Sequence, residues 1–255
     1  MNKFIILGCG SSLGSPTITN YWGACDKNNK KNVRTRCSAY FRINDISVLI
    51  DTSPDIKNQI KLNKIKNIDA IIYSHEHADQ TSGIFELRPF FWKNKKKLSI
   101  YGRLRTVKDI VKRYDFIFRS KKGYTPIAKA NIIGDFFSIN KKKNKIRIKS
   151  FEVNHGIIKS TAYVINKVAY ISDCSSIPKK NEKFLYNLNY LIIDCFRYKQ
   201  FPTHLSFKQS LEISKKFKPK KTILTNLHVD LDYNSLKKKL PSNIIPAFDG
   251  MSFTF

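Results

Sequence analysis

The stretch Ile71–Gly83, I-I-Y-S-H-E-H-A-D-Q-T-S-G, constrains this chain more than any other part of it. The apolar run Ala70–Tyr73 reads as a buried strand. It stops at Ser74, and three candidate metal ligands follow within five residues: His75, His77 and Asp79. Where a chain turns out of a strand, alternate side chains can converge on one point. Imidazole nitrogen and carboxylate oxygen are donors that zinc accepts. An isolated H-x-H carries little weight, because two histidines fall close together by chance. H-x-H-x-D directly behind an apolar strand is much more specific.

The chain has five histidines, and the other three are His155, His204 and His228. Each of the five falls at a predicted strand end or in the loop beside it. A lone histidine is usually a hydrogen-bonded structural residue, but this distribution is what a metal site needs. Asp173, in Y-I-S-D-C, also closes an apolar run.

S-H-E-H-A-D-Q resembles the H-x-H-x-D-H signature loop of the metallo-β-lactamase superfamily, with Gln80 where the family carries a sixth-position histidine. The landmarks V-N-H-G at His155, Y-I-S-D-C at Asp173 and T-N-L-H at His228 follow in family order. P-T-H-L-S at His204, the N-terminal G-C-G-S-S-L-G-S-P, L-I-D-T-S-P-D and the terminal F-D-G-M strengthen the match. The set is similar to the branch that contains the phosphoribosyl cyclic phosphate phosphodiesterase and, more distantly, tRNase Z.

The resemblance spans nearly the whole chain. It implies a mixed α/β (α+β) chain folded as a four-layer αββα sandwich, with the site at one edge between two sheets. It also implies two divalent metals, zinc or manganese. His75, His77 and His155 would hold the first, Asp79 and His228 the second, and Asp173 would bridge both. Gln80 would stand beside the second. Its amide is a neutral and weaker ligand than imidazole, so that site is expected to be weak, to prefer manganese or to be lost. Asp51 would support the histidine loop from behind. The implied chemistry is in-line attack on phosphorus by a metal-bound hydroxide, with Asp79 and Asp173 in the catalytic set. His204, not a ligand in the related phosphodiesterases, is the expected general acid, with Thr203 and Ser206 beside it as orienting groups.

Lys and Arg number 47 against 19 Asp and Glu, a formal net charge of +28. Charge of that size draws anions, so a phosphate-bearing substrate is favoured. The lysines are spread almost everywhere among abundant Asn and Ile. That pattern reads as compositional drift more than as a dedicated nucleic-acid groove, so nucleic acid is the less favoured partner. Arg34 and Arg36 are candidates for gripping a phosphate.

A length of 255 residues with 42% hydrophobic content suits one domain, residues 1–255. No apolar run reaches transmembrane length, and Met1–Leu7 reads as a first strand and not a signal peptide. No membrane partner and a cytoplasmic location are therefore expected. Five scattered cysteines without a C-x-x-C argue for reduced thiols. Cys25 and Cys37 are poor candidates for a structural zinc. A homodimer is allowed but not specified.

The loop Gly8–Gly14 lacks the spacing and the following helix of a dinucleotide fingerprint, and reads as a tight turn near the site. Predicted strands are Lys3–Leu7, Cys37–Ile43, Ile46–Asp51, Leu98–Tyr101, Ala162–Ile165, Val168–Ile171, Tyr190–Asp194 and Thr222–Thr225. Predicted helices run from Ser53 to about Leu62, over Arg105–Phe118 and over Ser206–Lys218, with a helix entry in Gly83–Phe91. Arg119–Ala130 reads as a basic surface segment and Asn140–Lys145 as a solvated hairpin tip.

The leading functional expectation is a phosphodiesterase cleaving a small cyclic or nucleotide-like phosphate ester. The alternatives are a tRNase Z-like RNA-processing nuclease, and a metal-poor, non-catalytic binding protein derived from the fold.

Overall fold

The computed structural model describes residues 2–120 and 123–255. One sheet is built from β1 (Lys3–Gly8), β2 (Ser38–Ile43), β3 (Ile46–Ile50), β4 (Ala70–Ile72), β5 (Leu98–Gly102) and β6 (Ala128–Ile132). The second takes β7 (Phe136–Lys141), β8 (Asn144–His155), β9 (Ile158–Ile165), β10 (Val168–Ile171), β11 (Tyr190–Asp194), β12 (Lys221–Thr225) and β13 (Ile244–Pro246). The chain then returns to the first sheet, where β14 (Ser252–Thr254) pairs antiparallel with β1. Each sheet is half antiparallel and half parallel. β3 through β6 run parallel in the first, and β10 through β13 in the second.

Side chains alternate across a strand, and here both faces are buried. In β1, Phe4 and Ile6 enter a core that also holds Ile50, Ile72, Tyr170 and Ile192, contributed by both sheets. Ile5 and Leu7 point the other way, toward a layer with Ile56, Leu87, Ile110 and Ile117. That outer layer comes from α1 (Ile56–Leu62), α4 (Leu104–Arg113), α5 (Asp115–Phe118) and the turns before them, with the short α2 (Ala78–Thr81) and α3 (Arg88–Asn94) between. On the far side, Leu191, Ile193 and Leu224 meet Phe217 of α6 (Phe207–Phe217) and Leu236 of α7 (Tyr233–Lys239). The result is the four-layer αββα sandwich.

Most predicted elements are present, and the differences have local causes. The first helix starts at Ile56, not Ser53, because Ser53 Oγ accepts from the Asp55 N–H and holds a turn there. The amphipathic helix expected over Arg105–Phe118 is split at Tyr114, whose φ of −119° and ψ of 39° leave the helical region. The Ser206–Lys218 helix is capped as expected, with Ser206 and Gln209 in a reciprocal capping box and Lys218 left-handed at its end. Within the basic segment Arg119–Ala130, Lys121 and Lys122 lie outside the described residues, and its last residues enter β6. Asn140–Lys145 is the tip of the β7–β8 hairpin. Among the described residues, no helix is long and apolar enough to cross a membrane.

Candidate metal centre

The carboxyl ends of β4, β10, β11 and β12 meet at one edge of the sandwich, and each delivers polar side chains there. β4 stops at Ile72 because the chain must turn. The loop after it is tied down from three sides. Asp51 accepts from the Ser74 N–H at 2.7 Å and from Ser74 Oγ at 2.8 Å. Thr161 N–H donates to the Ser74 carbonyl at 2.8 Å, and Tyr163 Oη donates to that of Tyr73 at 2.7 Å. Thr52 N–H holds the Gln80 carbonyl at 2.7 Å. Asp51 is fully buried with a left-handed φ of 60°, so the expected support of the histidine loop is present in the geometry.

Three imidazoles converge on this loop. The ring centroids of His75, His77 and His155 lie 4.6, 5.0 and 5.1 Å apart in pairs. His155 comes from the end of β8, where Gly156 turns the chain at φ +59°. A Cβ at Gly156 would sit 2.5 Å from Thr203 Cγ2, so glycine is required there on two counts.

The nitrogen chemistry suits a divalent metal. His75 is completely buried, Ser74 Oγ is 3.0 Å from its Nδ1, and its Nε2 is buried with no hydrogen-bond partner. An orphaned buried nitrogen costs about 1–3 kcal/mol unless something binds it. Burial takes the His75 pKa down to about 3, so at pH 7 its lone pair is free. Burial and the neighbouring His155 also lower that of His77. His155 donates from Nδ1 to the Thr203 carbonyl at 2.7 Å, which leaves Nε2 facing His77 Nδ1 at 3.3 Å. Asp173, two residues beyond β10, lies within 4.8 Å of His155 and His204, the nearer members of this edge. Burial opposes its charge, but His75, His155 and His204 hold its pKa below the ordinary carboxylate value.

His204 stands at the same edge, with its ring 4.8 Å from that of His155. Its Nδ1 is 2.8 Å from Asp194 Oδ2, a fully buried carboxylate at the end of β11. Burial would lower the pKa of His204, but Asp194 overrides it and raises it to about 9. Burial pushes Asp194 itself up to about 6. Between those values the pair is imidazolium and carboxylate. Asp194, closing Y-L-I-I-D, has the same strand-then-aspartate signature as Asp51 and Asp173. The sequence carries that signal in Y-L-I-I-D.

The second half of the expected ligand set is arranged differently. Asp79 is at the site, its pKa raised to about 6 by burial and by Asp173. Gln80 Nε2 donates to Asp79 Oδ2 and Asp173 Oδ2, both at 3.3 Å. His228 does not join the cluster. Its ring nitrogens face Arg197 Nη2 at 3.2 Å, and its Nδ1 lies 3.2 Å from Asp230 Oδ2. The ring of Phe196 contacts both His204, at 4.7 Å, and His228, at 5.1 Å. The residue beside Asp173 is instead Asn226, whose Nδ2 is 3.3 Å from Asp173 Oδ1. In T-N-L-H, the amide directly after the strand reaches the site, and the histidine two positions later is carried past it.

Other expectations also change. Arg34 is buried and spends its guanidinium on the carbonyls of Lys31, His228 and Leu231 and on Asn32. Arg36 is paired with Asp55 at 2.9 Å. Neither is free to grip a phosphate. Ser206 is used as a helix cap, and Thr203 acts through its carbonyl on His155. The Cys25 thiol donates to the Val229 and Leu231 carbonyls, and that of Cys37 to the Gly10 carbonyl. The glycine loop approaches the site through backbone: Leu227 N–H donates to the Cys9 carbonyl and Ser11 N–H to that of Leu227.

Residues 47–226 match the model of the beta-lactamase superfamily domain. The chain belongs to that superfamily. Its members' fold and a set of histidines fit for a divalent metal are both in place here. Among solved structures, this superfamily chain is similar to a diphosphatase from the PhnP family, at 28% identity and a TM-score of 0.89, with 100% of this chain and 98% of that one covered. It shares its fold with the short form of human tRNase Z, at 15% identity and a TM-score of 0.69, covering 99% and 98%. A curated relative is the octanoyltransferase of Porphyromonas gingivalis strain ATCC BAA-308 / W83, 27% identical over 256 residues, 98% of this chain and 51% of that protein. The chain thus spans about half the length of that relative.

Proposed function

We propose that residues 1–255 form one hydrolase unit, a metal-dependent phosphodiesterase acting on a small cyclic or nucleotide-like phosphate ester. One observation carries this reading: the His204–Asp194 pair faces the His75–His77–His155 cluster across His155, with centroids 4.8 Å apart. A divalent metal held by His75, His77, His155 and Asp173 would supply Lewis acidity to a phosphoryl oxygen and activation of water. The chain's own groups do the rest. His204 carries a proton at neutral pH and can give it from Nε2 to a departing alkoxide, while Asp194 fixes its tautomer through Nδ1. Arg197, on the other side of Phe196 and partly exposed beside Asp230, offers a cation at the rim for a second anionic group of the substrate.

The likeness to the diphosphatase supports a phosphate ester or anhydride as substrate. The tRNase Z likeness rests on fold alone at 15% identity, and with the charge of +28 it keeps RNA processing as the second reading. The likeness to about half of an octanoyltransferase does not by itself bring acyl transfer to this chain. All five cysteines are buried, and burial pushes every thiol above its ordinary pKa, so none is a ready nucleophile.

The test is a hydrolysis screen with zinc or manganese against p-nitrophenyl phosphodiesters, cyclic nucleotides, nucleoside diphosphates and precursor tRNA. A His155→Asn variant serves as the metal-site control. Cleavage of a small ester that disappears in the control supports the reading. Cleavage of precursor tRNA alone would move the assignment to RNA processing, and no cleavage of any substrate would leave the binding-protein alternative.

A further inference from the structure

We infer that this centre is mononuclear, and that two amide side chains occupy the place where a second cation would sit. The inference rests on the reading of His75, His77, His155 and Asp173 as the first metal site. A second metal beside Asp79 and Asp173 would need an imidazole or another anionic donor next to them. The chain puts Gln80 and Asn226 there instead.

The geometry is that of a closed hydrogen-bond lattice. Gln80 Nε2 lies 3.3 Å from both Asp79 Oδ2 and Asp173 Oδ2. Asn226 Nδ2 lies 3.3 Å from Asp173 Oδ1 and 3.4 Å from Asp194 Oδ1. Each amide NH₂ carries two hydrogens, so each can serve two acceptors. Three carboxylates at one edge would repel one another, and two amide donors stitch them together in place of a cation's charge.

Gln80 Oε1 is buried without a partner, and its nitrogen end faces the carboxylates, the orientation that two carboxylates dictate when no cation lies between them.

The remaining donors do not restore a second site. His228 faces Arg197 and Asp230, and Asp230 N–H approaches its Nδ1 at 3.3 Å. Among the described residues, two tight groups could hold an ion: His75 with His77 and His155, and His155 with Asp173 and His204. The second group borrows His155 from the first, and His155 has one nitrogen to give because its Nδ1 is bonded to Thr203. The two groups are therefore faces of one pocket and not two sites. Neither includes Asp79 or His228.

The experiment is a metal count on the folded chain, read without substrate. Wild type, His228→Ala and the Gln80→His/Asn226→His double variant are loaded with excess zinc, or separately with manganese. They are dialysed identically and measured by elemental analysis and native mass spectrometry. The expected result is one equivalent in wild type, one in His228→Ala, and two in the double variant. Two equivalents in wild type overturn the inference, as does a loss of metal in His228→Ala. A double variant that fails to fold leaves the wild-type count decisive. One equivalent with no hydrolysis of any ester upholds the inference and sinks the phosphodiesterase reading. No bound metal at all sinks both.

Discussion

His204 Nδ1 lies 2.8 Å from Asp194 Oδ2, and that carboxylate is fully buried at the end of β11. Two groups from the same loop-and-strand unit thus form the pair proposed above as proton donor beside the histidine cluster. A charge-assisted bond of this kind contributes about 1.5–3 kcal/mol, enough to fix the ring in one tautomer.

The first prediction tests proton donation. His204→Ala retains bound metal and slows cleavage of esters with poor leaving groups by about 10²–10⁴-fold. p-Nitrophenyl esters, whose leaving group needs no proton, lose far less. Steady-state kinetics on a leaving-group series decides it, and equal losses across the series would mean that His204 only positions substrate.

pH dependence follows from the same pair. His204 is protonated below about 9, so acid-assisted cleavage persists through neutral pH and declines as pH rises through that value. Below about 6, Asp194 takes a proton and no longer supports the imidazolium. Asp194→Asn should move the alkaline limb down toward the ordinary histidine value of about 6.5. A kcat profile with an unmoved alkaline limb in Asp194→Asn would assign that limb to another group.

Metal retention depends on the loop's support. Asp51 binds Ser74 through both its N–H and its hydroxyl, and that hydroxyl touches His75 Nδ1. Ser74→Ala should weaken metal binding by about 10–100-fold, the range seen when a ligand's hydrogen-bond partner is removed. Competition with a chelator of known affinity measures it. Unchanged affinity would show that burial alone orients His75.

Arg197 separates substrate recognition from chemistry. Its guanidinium sits 5.1 Å over the Phe196 ring and 3.2 Å from Asp230. Arg197→Met should raise KM about tenfold for substrates with a second anionic group and leave metal content and the KM of p-nitrophenyl phosphodiesters unchanged. A uniform rise in KM would make Arg197 a structural partner of Asp230 only.

Much of this was legible in the sequence because the site hangs from strand ends. Apolar runs such as Y-L-I-I-D and A-I-I-Y are buried on both faces, so their ends are marked by the first polar residue. That reading singles out His75, His77, Asp79, His155 and Asp173, and the structure places their side chains at one edge, with their role as ligands left to the metal count. The positions that moved depend on loop path, which no periodicity encodes. Asn226, at φ +60°, points its amide into the site, while His228 follows a turn that carries its ring toward Arg197. Arg34 read as a free cation, yet long-range folding supplies three carbonyls that consume it. Thr203 contributes a backbone atom, which residue type does not reveal.

The pairing of β14 with β1 brings Lys3 opposite Thr254, so the first and last strands of the chain are neighbours. β1 runs parallel to β3 and β4, and its far end, Gly8, opens the loop that abuts the site. Both chain ends therefore leave from the opposite pole, about 17–20 Å away along the strand. Another polypeptide joined at either end would hang clear of the catalytic mouth. That layout leaves room for further chain at either end, which is compatible with the likeness to about half of a longer relative.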